Sequence, residues 1–191
     1  MVQYAEMKAN DIIADARMLH LLELKESLAA TKERLQKAEA ERDLLLAHFP
    51  LAMAALDDFK GLSPQQEFRI IDGWNAILRQ RNISKLSSAD VSRMKKEYLA
   101  NLGITSPAPG GADVPPVGTW IVFDGETAAS YRSGEYRVTY TGGTGPHRAD
   151  RMILDFVNAA KVLGLDVSRI SVETADKDLS KRLSAVGAKV Q

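Results

Sequence analysis

Phe68-Arg69-Ile70-Ile71-Asp72-Gly73-Trp74-Asn75 is the stretch on which the reading of this chain turns. An apolar run of strand length stops there at a carboxylate followed by glycine, the punctuation of a strand that ends in a turn. The same pattern returns at Trp120-Ile121-Val122-Phe123-Asp124-Gly125. A related one closes Ile170-Ser171-Val172-Glu173-Thr174-Ala175-Asp176, and a fourth aspartate, Asp150, opens a helix after a glycine-rich turn. In an open parallel α/β sheet, ligands bind outside the carboxyl ends of the strands. Carboxylates arriving there from several strands are expected to converge. Like charges packed together raise each other's pKa unless a cation shares them. Hard oxygen donors of this kind suit Mg²⁺ or Mn²⁺. The aspartates therefore point to metal-assisted phosphoryl chemistry.

Working outward, the pattern predicts strands at 68–72, 119–124, 135–140, 169–174 and 188–190. Helices are expected at 74–81, at 88–101 with Ser87 or Ser88 as cap, at 148–163 ended by Gly164, and at 177–186. Strands alternating with helices imply a mainly parallel sheet with right-handed crossovers. Between them, 104–118 carries four prolines and three glycines and cannot be regular. A loop that long is usually functional or disordered.

Residues 4–48 contain neither glycine nor proline and are dense in Ala, Leu, Glu, Lys and Arg. Leu21, Leu24, Leu28, Thr31, Leu35, Ala38, Arg42 and Leu45 follow heptad spacing. A helix of that length reaches roughly 65 Å. Pro50 is expected to interrupt it, with a short helix following from Leu51 to Phe59. We therefore expect a helical arm over 1–62, self-associating as a coiled-coil homodimer or holding a protein partner, and an α/β domain over 63–191. The alternative is a long helix folded back on its own domain.

Composition narrows the function. The chain has 191 residues, 45% of them hydrophobic, and no cysteine. Disulfides, thiolate metal sites and cysteine nucleophiles are excluded. His20, His48 and His147 lie too far apart in sequence to suggest zinc. Residues 1–10 lack the basic and apolar regions of a signal peptide, and no apolar run approaches the roughly 20 residues of a membrane span. A cytoplasmic protein without membrane contact is the expectation. The net charge of zero hides an asymmetry: residues 61–191 hold 17 Lys and Arg against 14 Asp and Glu. A basic surround with an acidic centre fits a polyanionic substrate, although an ordinary solvated surface has the same balance.

At this point the motifs become recognisable. Ile70-Ile71-Asp72-Gly73-Trp74-Asn75 resembles the first-strand motif of the NYN/YacP-type branch of the PIN-like nucleases, apolar residues followed by Asp-Gly-Tyr-Asn. Val122-Phe123-Asp124-Gly125 resembles the second motif. Ala149-Asp150, after Tyr136-Arg137-Val138-Thr139-Tyr140, resembles the third, and Thr174-Ala175-Asp176-Lys177-Asp178-Leu179 the fourth. The resemblance runs in order over 68–190. It implies a three-layer α/β/α fold and a divalent-metal-dependent endoribonuclease. Asp72, Asp124, Asp150 and Asp176 would hold Mg²⁺ or Mn²⁺, directly or through waters, and activate water for attack on RNA. Asn75 would orient a ligand or a water, and Arg148 and Lys177 would hold phosphates.

Plainer readings stand beside these. Asp72 and Asp124 before glycine also suit strand-to-turn positions, Asp150 a helix start, Asp176 an N-cap, and Arg148 and Lys177 solvated charges. The turn at 141–145 is a plain connection or an anion site beside His147 and Arg148. Trp74 and Ala175 stand where the family usually has Tyr and Ser. Arg151 and Leu154 stand where relatives often carry further acids, and Asp155 lies about 140° round the helix from Asp150. Fewer carboxylates would hold one metal rather than two. They also leave room for a second function, a PIN-like module that binds RNA or protein with little catalysis. A haloacid-dehalogenase-type phosphatase would need Asp-x-Asp, and Asp72-Gly73-Trp74 lacks the second acid.

Overall fold

The computed structural model describes residues 2–80, 88–104, 115–143 and 147–191. Ser87, one of the two candidate caps, and most of the proline-rich loop lie outside them. Two compact units divide the chain, Met1–Leu45 and Leu46–Gln191.

The first unit is helical throughout its described residues and belongs to helix α1 (Val2–Gly61). Its long run of good helix formers, without glycine, explains the helix. Every side chain from 18 to 39 is exposed, the seam leucines included.

Helix α1 passes through Pro50 instead of being interrupted there. A proline inside a helix costs about 3 kcal/mol by removing a donor and crowding the preceding turn. The next turns offset that cost: Ala55, Leu56 and Phe59 are fully buried against the sheet, and burying a Leu or Phe contributes about 1.5–3 kcal/mol each. This is also why the second unit begins at Leu46, upstream of the 62/63 boundary read from the sequence.

That unit is a mixed α/β fold around a six-stranded sheet. Its further elements are β1 (Phe68–Asp72), α2 (Gly73–Gln80), α3 (Ser88–Asn101), β2 (Thr119–Phe123), β3 (Ala128–Ser133), β4 (Tyr136–Thr141), α4 (Arg148–Val162), a 3-10 turn (Val167–Arg169), β5 (Ile170–Glu173), α5 (Lys177–Val186) and β6 (Lys189–Val190). The strand order is β3-β4-β2-β1-β5-β6. All pairings are parallel except β3 with β4.

The period of two along each strand sorts the side chains onto two cores. Ile70, Trp120 and Val122 face α4, α5 and the end of α1, while Ile71, Ile121 and Phe123 face α2 and α3. Helices thus cover both faces of the sheet, as its apolar strands require. The Trp120 indole is satisfied within its core, donating to Thr139 Oγ1 at 2.8 Å.

Strand β3 was not expected. Its sequence, Ala128-Ala129-Ser130-Tyr131-Arg132-Ser133, has no apolar run because it is an edge strand, and it is exposed to half-buried along its length. It is held by the antiparallel ladder with β4 and by Asp58 of α1. The Asp58 carboxylate is buried, bonded to the Arg132 guanidinium and, at 2.5 Å, to Arg137 Nε. Among the described residues no helix is long and apolar enough to cross a membrane.

Candidate functional site

The strand order fixes where a site can form. From β1 the chain builds outward through β2 and β4 on one side, then returns to place β5 and β6 on the other. Helix α2, which follows β1, packs on one face, and α5, which follows β5, packs on the other. The crevice at the carboxyl ends of β1 and β5 is therefore the topological switch point, where open α/β sheets bind ligands.

Asp72 closes β1 and is buried. Thr174 Oγ1, just past β5, donates to its Oδ2 at 3.0 Å across the crevice. The Asn75 side-chain amide donates to the same oxygen, and the Asn75 backbone N–H to Oδ1 at 3.4 Å. Asn75 thus sets the orientation of the Asp72 carboxylate. Burial pushes the Asp72 pKa up, and the charge of Asp150 adds to the rise, against the lowering effect of these hydrogen bonds. Gly73 is required for packing, since a Cβ there would collide with the Phe123 ring. The Asp-Gly pair therefore records how tightly β2 lies against the start of α2.

Asp124 follows β2. Its Oδ1 accepts the Ala149 N–H at 2.9 Å and faces the Thr141 hydroxyl at 3.5 Å, which ties it to the first turn of α4. That turn begins at His147, whose φ of 60° and ψ of 25° make it the one non-glycine with positive φ among the described residues. A left-handed non-glycine residue costs about 1–2 kcal/mol, and such strain gathers at functional sites. The His147 side chain does not cap α4. Its Nδ1 lies 2.9 Å from Asp150 Oδ2. That hydrogen bond raises the imidazole pKa first, and the charges of Asp150, Asp176 and Asp124 raise it further.

Asp176 is the N-cap of α5, and its Oδ1 accepts from the N–H groups of Asp178 and Leu179 at 2.8 and 2.9 Å. Its own N–H donates to Thr174 Oγ1 at 3.1 Å. Capping leaves Oδ2 outside the cap hydrogen bonds. His147, Asp150 and Asp176 each offer a ligand atom, all within 4.8 Å of one another. Asp72 and Asp124 do not join them at that distance and are connected to the group through charge. The three line a cleft of about 630 Å³ with Arg151, Asp155, Asp178 and Arg182. Leu154 is buried in the core, and Arg151 Nε sits 3.9 Å from Asp155 Oδ2.

A second cleft, of about 660 Å³, opens at Asp124 and Arg148. Arg148 is buried, its Nη2 donating to the Gly125 carbonyl at 3.1 Å and its Nε to Thr141 Oγ1 at 3.3 Å. It braces the loop after β2 as well as lining the cleft. Lys177, in the first turn of α5, is exposed. The cleft also contains Lys95, whose Nζ donates to the Asp124 carbonyl. The Lys95 ammonium stands 5.4 Å from the ring centre of Phe123 and 5.8 Å from those of Trp74 and Tyr140. Burial lowers the Lys95 pKa, opposed by Asp124 and reinforced by Arg148.

Sequence reading had left Lys95, Asp155 and Asp178 aside, and had treated His147 only as a neighbour of the glycine-rich turn. The signal for His147 was present, because a residue three positions before Asp150 shares its helical face. Lys95 gave none, since its partners lie 21 to 45 positions away in sequence. No protein-family model, curated protein or solved structure matches the chain.

Proposed function

We propose that the chain is a divalent-metal-dependent endoribonuclease of the PIN-like kind, acting at the switch point between β1 and β5. One observation carries the reading: His147, Asp150 and Asp176 bring their ligand atoms within 4.8 Å of one another, beside a buried Asp72 that feels the charge of Asp150. Acidic groups assembled in this way repel one another unless a cation shares them. Two carboxylates and an imidazole fit one divalent ion. The imidazole, a softer donor than a carboxylate, favours Mn²⁺ over Mg²⁺. Once bound, the ion would lower the pKa of a coordinated water and offset charge on the phosphate.

The chain's own residues supply the rest. Asp150, Asp176 and His147 would hold the ion. Asp124 keeps the start of α4 against the end of β2 and adds negative charge near His147. Asp72, whose carboxyl burial pushes up and which is left outside the ion's ligands, would accept the proton of the attacking water. Oδ1 is the oxygen for that role, because its hydrogen bond to Asn75 is the longest the carboxylate makes. Exposed Lys177 would meet a flanking phosphate of the RNA. The exposed leucine seam of α1 supports a homodimer or a protein partner through the arm.

A second reading, an RNA- or protein-binding module with little catalysis, is favoured by Leu154 and Arg151. One is committed to the core and the other lies beside Asp155, so neither position adds a carboxylate. Incubation of a labelled single-stranded RNA with the protein and Mn²⁺, with and without chelator, separates the two. Cleavage that the chelator abolishes supports the nuclease. Intact RNA that remains bound supports the module.

A further inference from the structure

Lys95 occupies a position for which the chemistry above has no use. An ammonium is a strongly hydrated point charge, yet this one is half-buried against three aromatic rings and a strand-end carbonyl. A neutral side chain of similar length would fill the same space at lower desolvation cost. The surroundings also fix the ammonium in place. It has three N–H donors, and the Asp124 carbonyl takes one of them. Exposed Lys96 adds a second cation at the same cleft, with the Ser92 and Thr127 hydroxyls and the half-buried Tyr140 ring in its walls.

The cleft adjoins the candidate metal site. His147 lines one cleft and the next residue, Arg148, lines the other. A chain lying across the first turn of α4 would enter both. The volume, about 660 Å³, falls in the range of roughly 300–1,000 Å³ that holds small organic ligands. Cations that follow a backbone, together with an aromatic ring beside them, are the combination by which proteins hold single-stranded nucleic acid. An acidic peptide would meet the same cations but brings no base to stack on the half-buried Tyr140 ring beside them.

We propose that this cleft is a subsite for single-stranded RNA in which Lys95, with Lys96 beside it, holds the phosphate next to the bond to be cut. The proposal rests on the ribonuclease reading for the position of that bond. The experiment is the binding of a short fluorescent oligouridylate in chelator across a range of salt, paired with cleavage of the same RNA in Mn²⁺. Lys95→Met should bind about tenfold more weakly, the loss of one charge-assisted contact. The slope of log K against log salt should become shallower by about 0.7, the value for one phosphate of a single strand. Lys95→Arg should restore most of both, and Lys95→Met should raise KM more than it lowers kcat. If Lys95→Met does not fold, Lys96→Ala, at an exposed position, carries the test with the same expected change in slope.

Unchanged affinity and slope in a protein that still cuts RNA would overturn the subsite and leave the nuclease standing. A shallower slope in a protein that binds RNA without cutting it would support the subsite and defeat the nuclease. A wild type that binds no RNA would overturn the subsite.

Discussion

Thr174 stands where three hydrogen bonds cross. It donates to Asp72, accepts from the Asp176 N–H and receives the Asn75 amide at 3.3 Å. Its hydroxyl therefore couples the carboxylate of β1 to the cap of α5. Thr174→Val keeps the shape and removes the hydroxyl, leaving the Asp176 amide and one side of Asp72 without that partner. The expected loss is about 1–3 kcal/mol of stability, read from chemical denaturation, with a larger proportional fall in Mn²⁺-dependent cleavage. Tyr140 gives a prediction in pH. Burial, with Tyr131 beside it, pushes its phenol up to about 12, against about 10 in an unfolded chain. Between those values the folded protein holds a proton that the unfolded chain has released, so stability falls as pH rises. Denaturation midpoints should drop across that window, and less so in Tyr140→Phe.

The end of α1 and the β3–β4 hairpin form one structural element through Asp58. The carboxylate is buried between Arg132 and Arg137, and removing one partner of a buried ion pair typically costs about 3–5 kcal/mol because the other charge is left unpaired. Asp58→Ala should lower the unfolding free energy by that amount, and Asp58→Asn by less, as measured by urea titration. Sequence reading could not find this contact. Asp57 and Asp58 are adjacent and alike in the sequence, and the arginines lie 74 and 79 positions further on. The strands β1 and β2 were legible as mostly apolar runs that stop at an Asp-Gly pair, and β4 and β5 as short alternating runs rich in aromatic and β-branched residues. Strand β3, which lies at an edge, carries no such mark, and Pro50 misled because local propensity is outweighed by burial of the turns after it. Among the candidate residues, the places of Asp72, Asp124, Asp150 and Asp176 at strand and helix ends were legible in the sequence. That Asp150 and Asp176 come close to His147 while Asp72 and Asp124 stay outside that group depends on which side chains meet at the ends of the strands, and that no linear pattern records.

At the scale of the whole molecule, the chain divides into two compact units. Leu21, Leu24, Leu28 and Leu35 leave a spaced apolar seam exposed on the arm, while 46–191 contains both cores, the switch point and both clefts. The fragment 46–191 should fold, keep Mn²⁺-dependent cleavage of short RNA within a few-fold of the full chain, and sediment as a monomer. The full chain should sediment as a dimer that Leu24→Ala with Leu28→Ala weakens. The most direct test of the central claim compares the wild type with Asp150→Asn plus Asp176→Asn on a labelled single-stranded RNA in Mn²⁺. Asparagine still caps α5, so the variant keeps the fold and loses the charges that would hold the ion. Cleavage by the wild type that vanishes in the double variant, with its melting temperature preserved, is the predicted result; equal cleavage by both proteins, or none by the wild type, would contradict the account.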